Sequence, residues 1–251
     1  MRSAMVDVPT PDGTADAYLT RPETGDELPG VLFLIDAIGL RDRTKAMADR
    51  VASWGYVVLA PNILYRHGRA PVLPTPDLAD PDARAAFMTQ LGPMLADFTK
   101  ANMEADGRAY LDALQQHAAP GPLGLTGYCI GGRFAFRLAA AEPGRVAAAG
   151  CFHAGGVATG EPDSPHLSAA GIAAELYLGH ADNDQNMTPE QIATIDAALD
   201  AAGVTHTTHR FTGAAHGYTM SDTAAYDEDA AEQHFAALEA LLARTPPART
   251  R

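Results

Sequence analysis

Cys129 lies in a sequence context that suits a catalytic nucleophile. It is the central residue of Gly127-Tyr-Cys-Ile-Gly131, which follows the apolar run Leu123 to Tyr128 and precedes apolar residues at helical spacing. A strand-to-helix turn of this kind, a nucleophile elbow, needs glycines because a Cβ would collide with neighbouring backbone. The start of the helix favours a thiolate over a thiol. The pattern predicts a nucleophile at Cys129, and a buried structural cysteine is the alternative.

His216 is the best-placed candidate for the base that such a nucleophile needs. A base must take the thiol proton and return it to the leaving group, and an acid must orient the base. In elbow enzymes these residues follow the nucleophile in the order acid, histidine. Of the nine histidines, His216 follows the last predicted strand, in Gly213-Ala-Ala-His-Gly-Tyr218. His153 ends the strand after the elbow and could line the pocket.

Two aspartates could supply the acid, and both lie in Gly179-His-Ala-Asp-Asn-Asp184. Asp182, three residues after the glycine that ends a predicted strand, is preferred. Asp184 is the alternative. Both are expected in the loop at the carboxyl end of that strand, where open α/β sheets bind their ligands.

The same segment does not predict a metal site. A calcium loop that started at Asp182 would need glycine at its sixth position and glutamate at its twelfth, which are Met187 and Ala193. A zinc site formed with His180 would lack a further histidine nearby. We therefore expect neither a metal nor a cofactor.

Length and composition indicate one acidic globular domain. The chain has 251 residues, of which 47% are hydrophobic, and a formal net charge of −13. This charge argues against nucleic acid or anionic membrane surfaces as partners, because both need clustered lysine and arginine. No apolar run has the length of a signal peptide or a membrane span. With Cys129 and Cys151 both in apolar runs, we expect a cytoplasmic protein with reduced thiols.

The N-terminal third predicts how the sheet begins. Two short strands, Ala4 to Val8 and Ala15 to Thr20, flank Pro11-Asp-Gly13, which indicates an antiparallel edge hairpin. Gly30 to Asp36 is a continuous apolar run, as expected for a strand that is buried on both faces of a parallel sheet. Asp42 is the expected N-cap of the helix that follows.

Strands and helices alternate through the rest of the chain. Further strands are predicted at Tyr56 to Pro61, Leu123 to Tyr128, Val146 to His153, Leu176 to Gly179 and Thr207 to Phe211. Further helices are predicted in two pieces between Asp82 and His117 with a break at Gly92-Pro93, after the elbow, at Pro189 to Ala202 and at about Thr223 to Ala243. The alternation predicts an α/β fold with a mostly parallel central sheet flanked by helices. Residues 1–243 are expected to form one domain and residues 244–251 a frayed tail.

Three ordered motifs resemble the dienelactone hydrolase family. They are Gly127-Tyr-Cys-Ile-Gly-Gly132, the Gly179-x-x-Asp182 turn and Ala215-His-Gly-Tyr218. The resemblance extends from about Ala15 to Leu242. It implies an α/β-hydrolase fold and a small ester or lactone as the substrate.

The resemblance also implies roles for individual residues. Cys129, His216 and Asp182 would form a triad that opens the ester or lactone through an acyl-thioester intermediate. Backbone N–H groups of Ile130 and Ala37 would form the oxyanion hole, which agrees with the expectation for any elbow enzyme.

Two further family positions concern charge. The family places an acidic residue, usually Glu, at the end of the third strand to control ionisation of the thiol, and here that residue is Asp36. Dienelactone enzymes of the family bind the substrate carboxylate with arginines, one of them four residues after the catalytic histidine. That position is Met220, and a second arginine is expected among Arg66, Arg69 and Arg84. The missing arginine leaves the identity of the ester or lactone open.

Three functions from different classes follow. The favoured one is a cysteine-dependent hydrolase of small esters or lactones, acting as a monomer or small homo-oligomer. The alternatives are an enzyme of the same fold that cleaves another acyl bond, such as a thioester or peptide, and a non-catalytic ligand-binding protein. Residues expected in the substrate pocket are Tyr128, His153, Tyr218 and Met220.

Overall fold

The described part of the chain, residues 1–24 and 27–244 of a computed structural model, contains one eight-stranded sheet. Its strand order is β1-β2-β4-β3-β5-β6-β7-β8. The strands are β1 (Arg2–Thr10), β2 (Gly13–Arg21), β3 (Gly30–Leu34), β4 (Val57–Pro61), β5 (Leu123–Tyr128), β6 (Val146–Phe152), β7 (Glu175–Asn183) and β8 (His206–Ala215).

Helices connect these strands. The α-helices are α1 (Asp42–Ser53), α2 (Pro81–Leu91), α3 (Lys100–Gln115), α4 (Ile130–Ala141), α5 (Pro189–Ala202) and α6 (Glu228–Ala243). Within the described ranges, three 3₁₀ helices lie at Tyr65–His67, Gly92–Asp97 and Pro165–Gly171. None of the helices in the described ranges is both long and apolar enough to cross a bilayer.

The expected edge hairpin and the α/β class are confirmed. β1 and β2 pair antiparallel from Arg2↔Arg21 to Thr10↔Gly13, and β2 is also antiparallel to β4. The remaining neighbours, from β4 to β8, pair in parallel. The sheet is therefore mostly parallel, with its antiparallel part at the N-terminal edge.

The core lies on both faces of the central strands. Every residue of β3, β4 and β5 is buried, which requires helices on both faces of a pleated sheet. On one face α1 and α6 are joined by the edge-to-face pair of Trp54 and Phe235. A Cβ on Gly107 of α3 would lie 2.5 Å from Leu138 of α4, so these two helices are also closely packed.

Some predicted boundaries are wrong by a few residues. Asp42 is the first residue of α1, and Arg41 is its N-cap. α6 begins at Glu228 because the Asp227 side chain caps it by accepting a hydrogen bond from the Ala230 N–H. β3 ends at Leu34, two residues before the predicted end.

The predicted tail falls almost entirely outside the described residues. Of residues 244–251 only Arg244 is described, and its guanidinium forms an ion pair with Glu175 of β7 at 2.8 Å.

Candidate active site

Cys129 sits in a strained turn between β5 and α4. Its backbone has φ 56° and ψ −119°, values that L-residues rarely adopt. A Cβ on Gly127 would lie 2.1 Å from the Gly131 carbonyl oxygen, and one on Gly131 would lie 2.2 Å from the Leu34 carbonyl oxygen. The two glycines therefore let the turn pack directly against backbone, as the elbow prediction requires.

His216 links the thiol to a carboxylate. It lies just after β8, and its Nε2 is 3.1 Å from Cys129 Sγ. Its Nδ1–H donates to Asp184 Oδ2 at 2.7 Å. The Asp184 side chain is completely buried and its Oδ1 accepts a second hydrogen bond from the Asn186 N–H. The three side chains therefore form one continuous chain of hydrogen bonds.

The preference for Asp182 as the partner of His216 is wrong in this geometry. β7 continues to Asn183, so Asp182 belongs to the strand and not to the loop beyond it. Its carboxylate is paired with Arg210 of β8 and accepts the Gly213 N–H at 3.2 Å. The register of β7 and β8 shifts between Ala181 and Asn183. The first aspartate whose side chain contacts His216 is therefore Asp184, one residue beyond the end of β7.

The interactions of His216 with Cys129 and Asp184 favour the positively charged form of its imidazole. Burial alone would lower the pKa of His216, but the hydrogen bonds and charges of Asp184 and Cys129 outweigh burial and raise it to about 10. Burial acts to raise the pKa of Asp184, yet His216 and the Asn186 N–H lower it below its usual value. Asp184 therefore remains a carboxylate and His216 is stabilised as an imidazolium.

His153 lies beside His216, but its surroundings shift its pKa in the opposite direction. Their ring centroids are 5.2 Å apart, edge to face. Its Nε2 bonds the Thr219 hydroxyl at 2.8 Å, and its Nδ1 is buried without a partner in the described chain. Burial, followed by the charges of His216 and His234, lowers the pKa of His153 well below its usual value. It is a neutral imidazole on the pocket wall.

Cys129 and His216 border two adjoining cavities. Cys129 and His216 line a small pocket of about 60 Å³, which His153 and Met220 also border, and a wider cleft of about 550 Å³. His153 and Met220, which were expected in the substrate pocket, both line the small pocket beside Cys129.

Tyr128 and Tyr218 do not line either cavity, which corrects their expected place in the pocket. Both are fully buried. The Tyr128 hydroxyl is 3.1 Å from His234 Nε2, and its ring stacks on Phe152. Both side chains are part of the core, where the rings of Tyr128 and Tyr218 each lie edge to face with the ring of His234.

The expected oxyanion donors border the cleft. Ala37 and Ile130 line it together with Cys129. Ile130 is the first residue of α4, where backbone N–H groups have no partner within the helix. Such N–H groups are suited to accept a developing negative charge.

Asp36 also lines the small pocket. Its negative charge is balanced by Arg41, a residue that the sequence analysis missed. Arg41 donates to both carboxylate oxygens of Asp36, at 2.7 and 3.0 Å, and its Nε donates to Asp222 at 2.6 Å. Asp36 Oδ1 also accepts the Ile38 N–H at 3.1 Å. The position of Arg41 five residues after Asp36 gives no sequence signal of this pairing.

The three arginines considered for substrate binding have different surroundings. Arg66 pairs with Asp106, and Arg69 pairs with Asp7. Arg84 lines both cavities at the triad. Arg133 lines the cleft as well and was missed, although its spacing of four residues from Cys129 in a helix could have indicated it.

No group of three or more histidine, cysteine or acidic side chains in the described ranges is placed to hold a metal ion.

Comparison with known proteins agrees with this architecture. The family described as "Dienelactone hydrolase family" matches residues 15–245. A protein of Synechocystis sp. named "Putative carboxymethylenebutenolidase" is 27% identical over 92% of this chain and 92% of its own length. A Bradyrhizobium sp. protein named "Probable 2-oxo-3-(5-oxofuran-2-ylidene)propanoate lactonase" is 26% identical over 90% of this chain and 88% of its own.

Among solved structures, the crystal structure described as "Putative Dienelactone Hydrolase" from Klebsiella pneumoniae superposes with a TM-score of 0.84. It covers 97% of this chain and 98% of its own at 22% identity. At that identity the likeness shows the fold.

Proposed function

The chain belongs to the dienelactone hydrolase family, and from that premise we propose that it hydrolyses small esters or lactones with Cys129 as its nucleophile. The observation that carries the proposal is the chain from Cys129 Sγ through His216 to Asp184, with separations of 3.1 and 2.7 Å, at the mouth of a cleft. Both separations are within hydrogen-bonding reach of the respective atom types.

In the acylation step Cys129 Sγ attacks the carbonyl carbon of the substrate. His216 Nε2 holds the thiol proton, and Asp184 fixes the ring by accepting the Nδ1–H. The negative charge that develops on the carbonyl oxygen is accepted by the N–H groups of Ala37 and Ile130. When the tetrahedral intermediate collapses, the C–O bond breaks, the proton passes from Nε2 to the leaving oxygen, and an acyl-thioester remains.

In the deacylation step a water molecule replaces the leaving group. His216, now neutral, takes a proton from this water as hydroxide attacks the thioester carbon. The same N–H groups donate hydrogen bonds to the oxyanion, the C–S bond breaks, and the proton returns to the sulfur or stays on the imidazole. A carboxylic acid is released; a lactone gives a single hydroxy acid.

The acid of the triad is Asp184 in this proposal. It is buried, and its lowered pKa keeps it ionised, so it can stabilise the imidazolium that forms in each step. Asp36 borders the same small pocket as Cys129, and Arg41 offsets its negative charge there.

Both cysteines are free, and a thiol nucleophile must stay reduced to act. We therefore place the protein in a reducing compartment such as the cytoplasm.

The test compares Cys129→Ala with Cys151→Ala, using p-nitrophenyl acetate. Cys129→Ala is expected to abolish hydrolysis above the spontaneous rate and to leave the melting temperature nearly unchanged, because the side chain borders a cavity. Cys151 is 1% exposed in β6, so its replacement should lower the melting temperature but retain turnover. The opposite pattern would refute Cys129 as the nucleophile. A panel of lactones, thioesters and peptides would then define the acyl bond.

A further inference from the structure

Arg41 bonds to both of the segments that meet at the small pocket beside Cys129. The first segment follows β3 and carries Asp36 and the proposed oxyanion donor Ala37. The second is the β8–α6 loop (residues 216–227), which begins with the triad histidine. The separation of these two segments sets the distance between the base and one donor of the oxyanion hole.

All five N–H groups of the Arg41 guanidinium have acceptors. Nη1 donates to Asp36 Oδ1 at 2.7 Å and to the Gly39 carbonyl at 3.1 Å. Nη2 donates to Asp36 Oδ2 at 3.0 Å and to Asp222 Oδ1 at 3.2 Å, and Nε donates to Asp222 Oδ2 at 2.6 Å. The guanidinium is therefore held in one orientation between a carboxylate of each segment.

This group of three charges is largely buried. The side chain of Arg41 is 8% exposed, and those of Asp36 and Asp222 are 5% and 32% exposed. Burial alone would lower the pKa of Arg41, but the charges and hydrogen bonds of the two aspartates outweigh burial and raise it above its usual value. One positive charge thus offsets two negative charges next to the pocket that the thiol borders.

Arg43, two residues further along α1, holds the same loop. Its Nη2 donates to the Thr219 carbonyl at 2.5 Å. The Thr219 hydroxyl in turn bonds His153, whose ring lies edge to face with that of His216. The β8–α6 loop is therefore tied to the start of α1 at two residues, Thr219 and Asp222.

Several other charged or titratable side chains lie near the thiol or near Arg41. Those that border the two cavities at Cys129 are His216, Asp36, His153, Arg84 and Arg133. Those that line a further cavity together with Arg41 are Asp42, Arg43, Lys45 and Asp222. A substitution at Arg41 or Asp222 changes one charge and leaves the others in place.

We propose that Arg41 is a positioning residue for the reaction, which fixes the β8–α6 loop against the segment after β3 and offsets the charge that Asp36 presents to Cys129. Asp222 acts on the thiol through Arg41. The inference rests on the proposed function for the reaction, but the reactivity of the thiol tests it separately.

The first test measures the rate of Cys129 alkylation by iodoacetamide against pH, with the modified cysteine identified by mass spectrometry. Asp222→Asn removes a negative charge and leaves Arg41 positive, so alkylation at pH 7 should become about threefold to tenfold faster and its profile should move to lower pH. Arg41→Gln removes the positive charge, so alkylation should become slower by a similar factor and its profile should move to higher pH.

Asp229→Asn and Arg108→Met are the matched controls, because each removes an exposed charge, from α6 and from α3. Neither should move the profile. A profile that is unmoved in Asp222→Asn or in Arg41→Gln, or that moves in the same direction in both, would overturn the proposal. A general loss of stability would not shift the two variants in opposite directions.

Arg41→Lys separates position from charge, and it replaces Arg41→Gln if that variant does not fold. An ammonium keeps the charge but cannot make paired hydrogen bonds to two carboxylates. The alkylation profile should therefore stay close to that of the wild type. On p-nitrophenyl acetate kcat should fall about tenfold and KM should change by less than about threefold, because the base is displaced while the substrate contacts remain. An unchanged kcat would refute the positioning role.

A double variant tests whether Asp222 acts through Arg41. Asp222→Asn alone should lower kcat by about threefold, and Asp222→Asn combined with Arg41→Lys should lose no more than Arg41→Lys alone. Losses that multiply would refute this coupling. If the wild-type protein does not hydrolyse the ester, the proposed function fails, whereas the alkylation profiles still decide the role of Arg41.

Discussion

Asp182 and Asp184 are separated by a single residue but lie in opposite environments. The side chain of Asp182 is 31% exposed and meets Arg210, whereas that of Asp184 is 0% exposed and meets His216. Spacing from Gly179 could not distinguish them, because the choice depends on where β7 ends and on the register shift toward β8. The sequence therefore limited the proposed acid to two residues, and three-dimensional packing places Asp184 against His216.

The two aspartates should differ strongly on mutation. Asp184→Asn is expected to lower kcat on p-nitrophenyl acetate by about 10⁴-fold, since an amide no longer holds the imidazole in the required tautomer. Asp182→Asn should change kcat by less than about threefold, because it removes an exposed ion pair with Arg210. A larger loss in Asp182→Asn than in Asp184→Asn would contradict the proposed triad.

Asp36 is expected to influence the thiol through charge. In Asp36→Asn, Arg41 retains only Asp222 as an acidic partner, so the potential at the small pocket becomes more positive and favours a thiolate. The rate of Cys129 alkylation by iodoacetamide should rise at neutral pH, and its pH profile should move to lower pH. Burial raises the pKa of Cys151 to about 12, so this second thiol should not react in the folded protein.

The control for this experiment is Asp42→Asn, which removes a fully exposed carboxylate at the start of α1. If the alkylation profile is the same in Asp36→Asn and wild type, Asp36 serves only to hold Arg41 and the Ile38 N–H.

The elbow is the element that the sequence predicted most completely. β5 begins and ends at the predicted residues, and both glycines next to Cys129 make contacts that only glycine permits. The helical spacing of α4 and its stop near Pro143 were also sequence signals. Local rules suffice here because each contact involves residues within a few positions of the turn, apart from the approach to Leu34.

Gly131→Ala should damage this element severely. The added Cβ would lie 2.2 Å from the Leu34 backbone oxygen, which cannot rotate away, so β3 and α4 would have to separate. The expected loss in free energy of unfolding is about 3 kcal/mol, the upper end of overpacking costs. Gly144→Ala is the matched control, because no atom lies within 4 Å of the position of its Cβ. Urea denaturation of the two variants measures the difference, and equal stabilities would contradict the packing argument.

Elements built from long-range contacts were predicted less well. β7 was predicted to end at Gly179, yet pairing with β8 extends it to Asn183. Arg41 carries no strong local pattern, and one of its two acidic partners, Asp222, lies far away in the sequence. Burial of Tyr128 and Tyr218 likewise results from α6 and the sheet closing around them.

On the scale of the whole molecule, the order of the strands and the distribution of charge together shape the candidate site. Parallel strands β3, β5, β6 and β7 bring the segments that carry Asp36, Cys129, His153 and Asp184 to one edge of the sheet. The chain has a net charge of −13, but among the described residues no carboxylate lines the cleft of about 550 Å³ beside Cys129.

Three buried histidines should make the folded protein sensitive to mild acid. Burial lowers the pKa of His180 to about 4 and that of His234 to about 3, and it lowers that of His153 well below the usual value. An unfolded chain binds protons at these residues below about pH 6.5, whereas the folded chain does not. Stability is therefore lost as pH falls from about 6.5 toward 4, by about 1.4 kcal/mol per pH unit for each histidine.

The contribution of His216 to the free energy of unfolding changes with pH in the opposite direction. Its pKa of about 10 in the folded state exceeds the unfolded value of about 6.5, so its contribution is present below pH 6.5 and is lost as pH rises toward 10. The free energy of unfolding, measured by urea denaturation at successive pH values, should peak near pH 6.5. His234→Gln should flatten the acidic limb by about one proton, while His117→Gln, at an exposed position, should leave that slope unchanged. An acidic limb equally steep in His234→Gln and wild type would show that carboxylates, and not the buried imidazoles, set the acid sensitivity.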